Sequence, residues 1–198
     1  LAPPLDPSSV RNRMLCTLLA TLWYEGLLGH ALEFLKVLKQ TSTLSYVDLL
    51  KGITKEKGLL GIYDGFVPWG VIQAIGKGAV FGAAHGASLK FFLSLKERGI
   101  ISMGAAQVFA GGVGGGFQGY VLSPTLLLKT RVMTDPVFRE KMTAWETSVK
   151  SLAVGGRVIK HEGVLGLMKG SNTFALKRLF DWSTRYYFAN VVESVLYP

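Results

Sequence analysis

The sequence predicts an all-α membrane protein of four transmembrane helices, laid out as two copies of a helix, surface-helix, helix unit. Three observations predict it. The stretch from Ile100 to Leu128 holds no Asp, Glu, Lys or Arg, and about 20 apolar residues are enough to cross a bilayer. Three further apolar blocks, 14–38, 66–93 and 172–196, are separated by polar segments rich in Lys and Arg. A spaced set of glycines, Gly58, Gly61 and Gly65, recurs as Gly163, Gly166 and Gly170, each 105 positions on. A repeat of that kind fixes architecture before any single residue does.

Composition narrows the class. The chain is 49% hydrophobic and only 18% charged, against about 25% charged in average soluble domains. The formal net charge is +9, but the basic residues lie between apolar blocks rather than along one stripe. That placement suits an anionic lipid surface and argues against nucleic acid. Cys16 is alone, so the chain has no internal disulfide framework. His30, His85 and His161 are far apart with no Cys or acid at ligand spacing, so neither a metal site nor a cofactor is expected. No nucleophile–base set appears, and the glycine run at 111–119 lacks the Gly-Lys-Ser/Thr of a phosphate loop. An enzyme is therefore not expected. Residues 1–13 carry three Pro and two Ser without a signal-peptide pattern and read as an extended N-terminal arm.

The first membrane block, 14–38, is interrupted by Glu25, Glu33 and Lys36, and ionisable groups at that depth face protein or water. In 41–57, Tyr46, Leu49, Leu50 and Ile53 recur at helical spacing. With Lys51, Lys55 and Lys57 they predict a helix lying along a membrane surface. Block 66–93 carries Gly78, Gly82 and Gly86 at steps of four, a face for close packing. It also carries Lys77, a functional candidate by its position in an apolar helix, or else the partner of a buried group such as Glu25. Block 100–128 sets Gly111, Gly112, Gly115, Gly116 and Gly119 at the same spacing, and closes on Pro124 and Lys129. Small residues four apart let helix backbones approach closely; the alternative is a weakened, flexible helix. The polar segment 134–160 offers Trp145, Val149 and Leu152 as an amphipathic face. In 172–196, Lys177, Asp181 and Arg185 share one helix face.

These motifs resemble those of the mitochondrial carrier family, in its citrate/oxoglutarate branch. Family members carry Pro-x-acid-x-x-base at the matrix end of odd-numbered helices. Pro124 and Lys129 match it with Leu126 in the acid position, and Glu33 and Lys36 match it with Ala31 in the Pro position. The resemblance implies a carrier-like fold: repeat 1 over 14–98, repeat 2 over 99–198, and a matrix gate of which Glu33, Lys36, Pro124 and Lys129 are remnants. A local Glu33–Lys36 pair is the competing reading. It also implies that Lys77, Lys177 and Arg185 line a substrate cavity, with Asp181 neutralising the latter two in the bland alternative. Gly58, Gly65, Gly163, Lys169 and Gly170 fall where the family presents helix N-terminal amides to cardiolipin phosphate. Asp64, where a base is usual, weakens that site by repulsion.

The resemblance covers two of the family's three repeats, and Ala31, Asp64, Leu126 and Met168 depart from its motifs. The aromatic-acid-x-x-base motif is also missing after Lys77 and Arg185. The expectation drawn from these departures is a multi-pass protein of the mitochondrial inner membrane that no longer transports. It would be a structural subunit of a large respiratory-chain or ATP-synthase assembly, with the partner subunits covering its open side. The alternative is a di/tricarboxylate exchanger whose third repeat lies outside this chain.

Overall fold

The computed structural model describes residues 22–196 together with Cys16, Leu19 and Ala20; the predicted N-terminal arm lies outside the described residues. Those residues are helical almost throughout, with no strand among them. We number six helices. A π-helical turn, Glu25–Gly29, leads into α1, His30–Gln40. α2 is Tyr46–Lys57. A 3₁₀ turn, Leu59–Tyr63, and a second π-helical turn, Phe66–Gly70, precede α3, Val71–Glu97. α4 is Met103–Thr134 and runs through Pro124. After the turn Pro136–Arg139 come α5, Ala144–Glu162, the 3₁₀ turn Val164–Met168, and α6, Ser171–Leu196. Both copies therefore read helix, surface helix, glycine turn, long helix.

The surface helices start where side chains supply caps. Ser45 Oγ accepts from the Asp48 backbone N–H at 3.2 Å and opens α2. Ahead of α5, the Thr143 N–H donates to Glu146 Oε2 at 2.8 Å and the Glu146 N–H to Thr143 Oγ1 at 3.3 Å, a reciprocal capping box. Those bonds hold the Glu146 carboxyl below its usual range.

The chain divides into two compact units. One runs up to Ile75 and resumes over Leu128–His161; the other is Gly76–Leu127 with the segment from Glu162 onward. Each draws on both sequence copies. In the first unit, Phe34 and Leu38 of α1, Leu49 of α2 and Met133 of α4 form an apolar core, with Ile53 and Ile62 against it. Of the predicted α2 face, Leu49 is buried and Ile53 partly so; Tyr46 and Leu50 are exposed.

α5 corrects a second expectation. Trp145, Val149 and Leu152 point outward, while Thr147, Ser151, Val154 and Val158 are buried. The inward hydroxyls are satisfied locally: Thr147 Oγ1 donates to Thr143 O at 3.0 Å and Ser151 Oγ to Thr147 O at 2.7 Å. Once satisfied, a small polar side chain costs little to bury. Trp69 then fits closely against the face, donating Nε1–H to Ser151 O at 3.3 Å and lying 3.4 Å from where a Gly155 Cβ would be.

In the second unit α4 packs through its glycines. A Cβ at Gly111 would stand 2.2 Å from Tyr186, at Gly112 2.3 Å from Ser183 Oγ, and at Gly115 2.3 Å from Trp182 and 2.7 Å from Arg178 O. At Gly119 it would stand 2.9 Å from Ala175 Cα, and at Gly116 3.5 Å from Leu179. Gly114 faces α3 instead, with its Cβ position 3.0 Å from His85 Cβ. The stripe at Gly78, Gly82 and Gly86 behaves differently. Among the described residues a Cβ there meets nothing within 4 Å, which corrects the expectation of close packing along that face. It lies away from the turn of α3 that meets α4, marked by Gly76 against Leu122.

One run, Leu59–Glu97, is long and apolar enough to cross a membrane by length and composition. α4 is uncharged through Leu128, yet its Gly, Gln, Ser and Pro keep its hydropathy below that mark. The fourth block carries too many charged residues, and the first lies only partly within the described residues. Large apolar side chains are nonetheless exposed: Phe91, Phe109, Phe117, Phe180, Phe188 and Val192 are each at least half exposed.

The two glycine stripes make a paired prediction. Gly115→Ala must push α6 away and should destabilise by about 1–3 kcal/mol, the range for overpacked cores. Gly82→Ala, with open space and a better helix former, should be neutral or stabilise by up to about 1 kcal/mol. Thermal unfolding of detergent-solubilised protein separates the two.

Candidate functional site

The first unit buries a lysine. Lys129, near the C-terminal end of α4, is 1% exposed, and its Nζ lies 2.5 Å from Glu33 Oε2 of α1. Gln73 Oε1 of α3 accepts a longer bond from it at 3.4 Å. Three helices thus converge on one ammonium. The competing local pairing does not form: Glu33 engages Lys129, while Lys36 is exposed with no ion pair among the described residues. Glu33 lies in the first sequence copy and Lys129 in the second, so this pair joins one copy to the other. Pro124 stays within α4, half-buried, one turn before Leu128.

The first glycine turn lies on the same end of α4. Gly65 has φ +79°, a conformation that favours glycine, and a Cβ there would lie 3.2 Å from Lys129 O. His30, fully buried, meets Asp64 O through Nε2 at 3.2 Å and stacks on Tyr63 with centroids 6.0 Å apart. Asp64 does not project as a free anion: Lys57 Nζ holds Oδ1 at 2.6 Å, with both side chains about one-tenth exposed. A cavity of about 370 Å³ opens beside this pair, lined by Tyr63, Phe66, Val67, Met142 and Trp145 among others. In the second copy, Gly163 and Gly170 have φ +73° and +78°, as Gly58 and Gly65 do in the first. There Lys169 is well exposed and pairs with Glu162 at 2.7 Å.

The residues read as cavity-lining belong to the second unit. Lys77 is half-buried on α3, and its backbone carbonyl accepts from Gln118 Nε2 at 2.7 Å. Lys177 and Arg185 are exposed on α6. The neutralising role considered for Asp181 is not what the side chains do. Among the described residues no ion pair joins Asp181 to Lys177 or Arg185. Arg185 instead sits 5.3 Å over the Trp182 ring, and Trp182 stacks on Phe81 of α3 with centroids 3.9 Å apart. A cation over an indole face is held by the ring quadrupole, which leaves the outer edge of the guanidinium available to an anion.

His30, Lys57 and Gln73 were missed as site residues by sequence reasoning. Lys57 had a readable signal, since it occupies the position of Glu162 in the repeat. Gln73 and His30 had none, because their partners are far along the chain.

Comparison with known proteins gives the following. The family model described as mitochondrial carrier protein matches residues 103–197. The citrate/oxoglutarate carrier protein of Saccharomyces cerevisiae is 30% identical over 170 residues, covering 84% of this chain and 51% of that protein. Solute carrier family 25 member 47-B of Danio rerio is 30% identical over 181 residues, covering 85% of this chain and 60% of the relative. The mitochondrial nicotinamide adenine dinucleotide transporter 2 of Arabidopsis thaliana is 31% identical over 121 residues, 61% of this chain and 31% of the relative. The chain thus spans between about a third and three-fifths of the length of these relatives. No solved structure matches it.

Truncating either partner of the Glu33–Lys129 pair should destabilise, and unequally. Glu33→Ala strands the more deeply buried charge and should cost about 3–5 kcal/mol. Lys129→Ala leaves a carboxylate that is 29% exposed and should cost less. Melting temperatures of the two single variants and of the reversed pair Glu33→Lys/Lys129→Glu test this; the reversed pair should recover part of the loss.

Proposed function

Because the chain belongs to the mitochondrial carrier family, we propose that it supplies the first two repeats of a working carrier of the inner mitochondrial membrane, and that the solute is a small di- or tricarboxylate. The observation that carries this reading is the buried Glu33–Lys129 pair. Alternating access needs links that close one end of the cavity and can be exchanged. An ion pair between copies, at the end of the odd helices, is a link of that kind. Lys77, Lys177 and Arg185 supply positive charge for a carboxylate, and a cleft lined by one sign of charge concentrates the opposite ion. The name of the Saccharomyces relative supports citrate and oxoglutarate as the first solutes to try. In this reading the block 14–38, α3, α4 and α6 all span the bilayer.

The second reading is a structural subunit of a larger inner-membrane assembly, and the departures from the family's gate motifs motivate it. Leu126 replaces the acid that would complete the second motif, and Lys36 lies exposed without an ion pair among the described residues. Only one gate link closes within the described chain.

Exchange by the full-length protein in liposomes separates the two. Citrate or 2-oxoglutarate exchange should be measurable. Lys77→Ala and Arg185→Ala should each lower it by roughly tenfold or more, the equivalent of about 1.4 kcal/mol of lost interaction. Absence of exchange at every protein density, with the native chain migrating in a megadalton band on blue-native gels, would establish the structural reading instead.

A further inference from the structure

The two glycine turns carry the same ion pair with its charges exchanged. Residues 57 and 64 correspond to 162 and 169 in the repeat. Lys57 pairs with Asp64 at 2.6 Å and Lys169 with Glu162 at 2.7 Å, each across seven residues. The flanking glycines have matching φ in both copies. The backbone geometry is therefore indifferent to which partner is the cation, and something outside the turn has chosen the sense at 57 and 64.

The surroundings of Lys57 make that choice. Besides Asp64, its Nζ donates to Phe138 O at 2.8 Å and to Thr147 Oγ1 at 3.5 Å. A lysine ammonium has three donors and no acceptor, and here all three are used. Thr147 has committed its own hydroxyl proton to Thr143 O, so it presents only lone pairs to residue 57. Phe138 and Thr147 are 2% and 7% exposed, so water does not readily replace the lysine. An acid at 57 would set a carboxylate against a carbonyl oxygen and a hydroxyl lone pair in a poorly solvated site. In the second copy Lys169 is 66% exposed and can take up solvent or an anion.

We propose that Lys57 is a strap between the two sequence copies, tying the first glycine turn to the Pro136–Arg139 turn and the start of α5, and that this role dictated the charge reversal at 57 and 64. The strap is independent of whether the protein transports. It positions the wall of the 370 Å³ cavity, since Lys57, Asp64 and Thr147 all line it.

Hydrogen exchange on the full chain tests the strap, because a local pair and a strap protect different amides. Lys57→Met should raise exchange in 58–65 and also in 136–148. Asp64→Asn, which leaves the bonds to Phe138 and Thr147 in place, should raise it only in 58–65. If Lys57→Met loosens 58–65 alone, the strap is refuted. Should that variant not fold, Thr147→Val carries the same readout in the reverse direction, with exchange expected to rise in 58–65; unchanged exchange there refutes the strap equally. Reversing the pair gives a second decision: Lys57→Glu/Asp64→Lys should melt several degrees below the unmodified protein although its ion pair is formally kept, and equal melting of the two would overturn the proposal.

Discussion

A lysine with 1% of its surface exposed has lost its hydration and needs a polar partner in its place, and the first unit is arranged to bring a carboxylate to it. Unit charges at 2.5 Å attract by roughly 7 kcal/mol at an effective dielectric near 20. Removing each from water costs several kcal/mol, so the net gain is small. The consequence is specificity more than stability. Once Lys129 is buried, α1 must bring Glu33 to it and α3 must bring Gln73. The Gly65 turn must also lie close enough to the Lys129 carbonyl that no side chain fits.

The second unit depends on absence of side chains rather than on charge. The α4 glycines bring two helix backbones together closely enough that a methyl group would overlap Trp182, Tyr186 or Ala175. In lipid, where burying apolar surface between helices gains little, such close contact is a main source of association. It also sets the aromatic stack of Phe81 on Trp182, on which the Arg185 guanidinium rests.

Much of this was legible in the sequence. The helices fall close to the apolar blocks, the 105-residue repeat appears as two glycine turns of matching conformation, and the α4 stripe packs where its spacing said it would. The failures share a cause. Gly78, Gly82 and Gly86 have the spacing of a packing face, but spacing alone does not say which face meets a neighbour. Glu33 and Lys36 sit one turn apart, yet the decisive partner is 96 residues away. Asp64 read as a repulsive anion because Lys57, seven residues earlier, was not connected to it. A single sequence shows local periodicity well and long-range pairing hardly at all.

α5 shows the same limit and explains something about the medium. Trp145, Val149 and Leu152 face out, while Thr147 and Ser151 share the inward face with Val154 and Val158, so part of its apolar side is turned away from the core, unlike a soluble amphipathic helix. In water that arrangement would expose Trp145, which is 78% exposed, to no advantage. Beside a lipid surface it is favourable, since an indole at the headgroup level buries its ring and keeps its N–H wet. The inward hydroxyls satisfy the helix's own carbonyls and so leave a thin face on which Trp69 and Gly155 pack closely. The polarity of a helix face therefore identifies its neighbour only once the solvent on the other side is known.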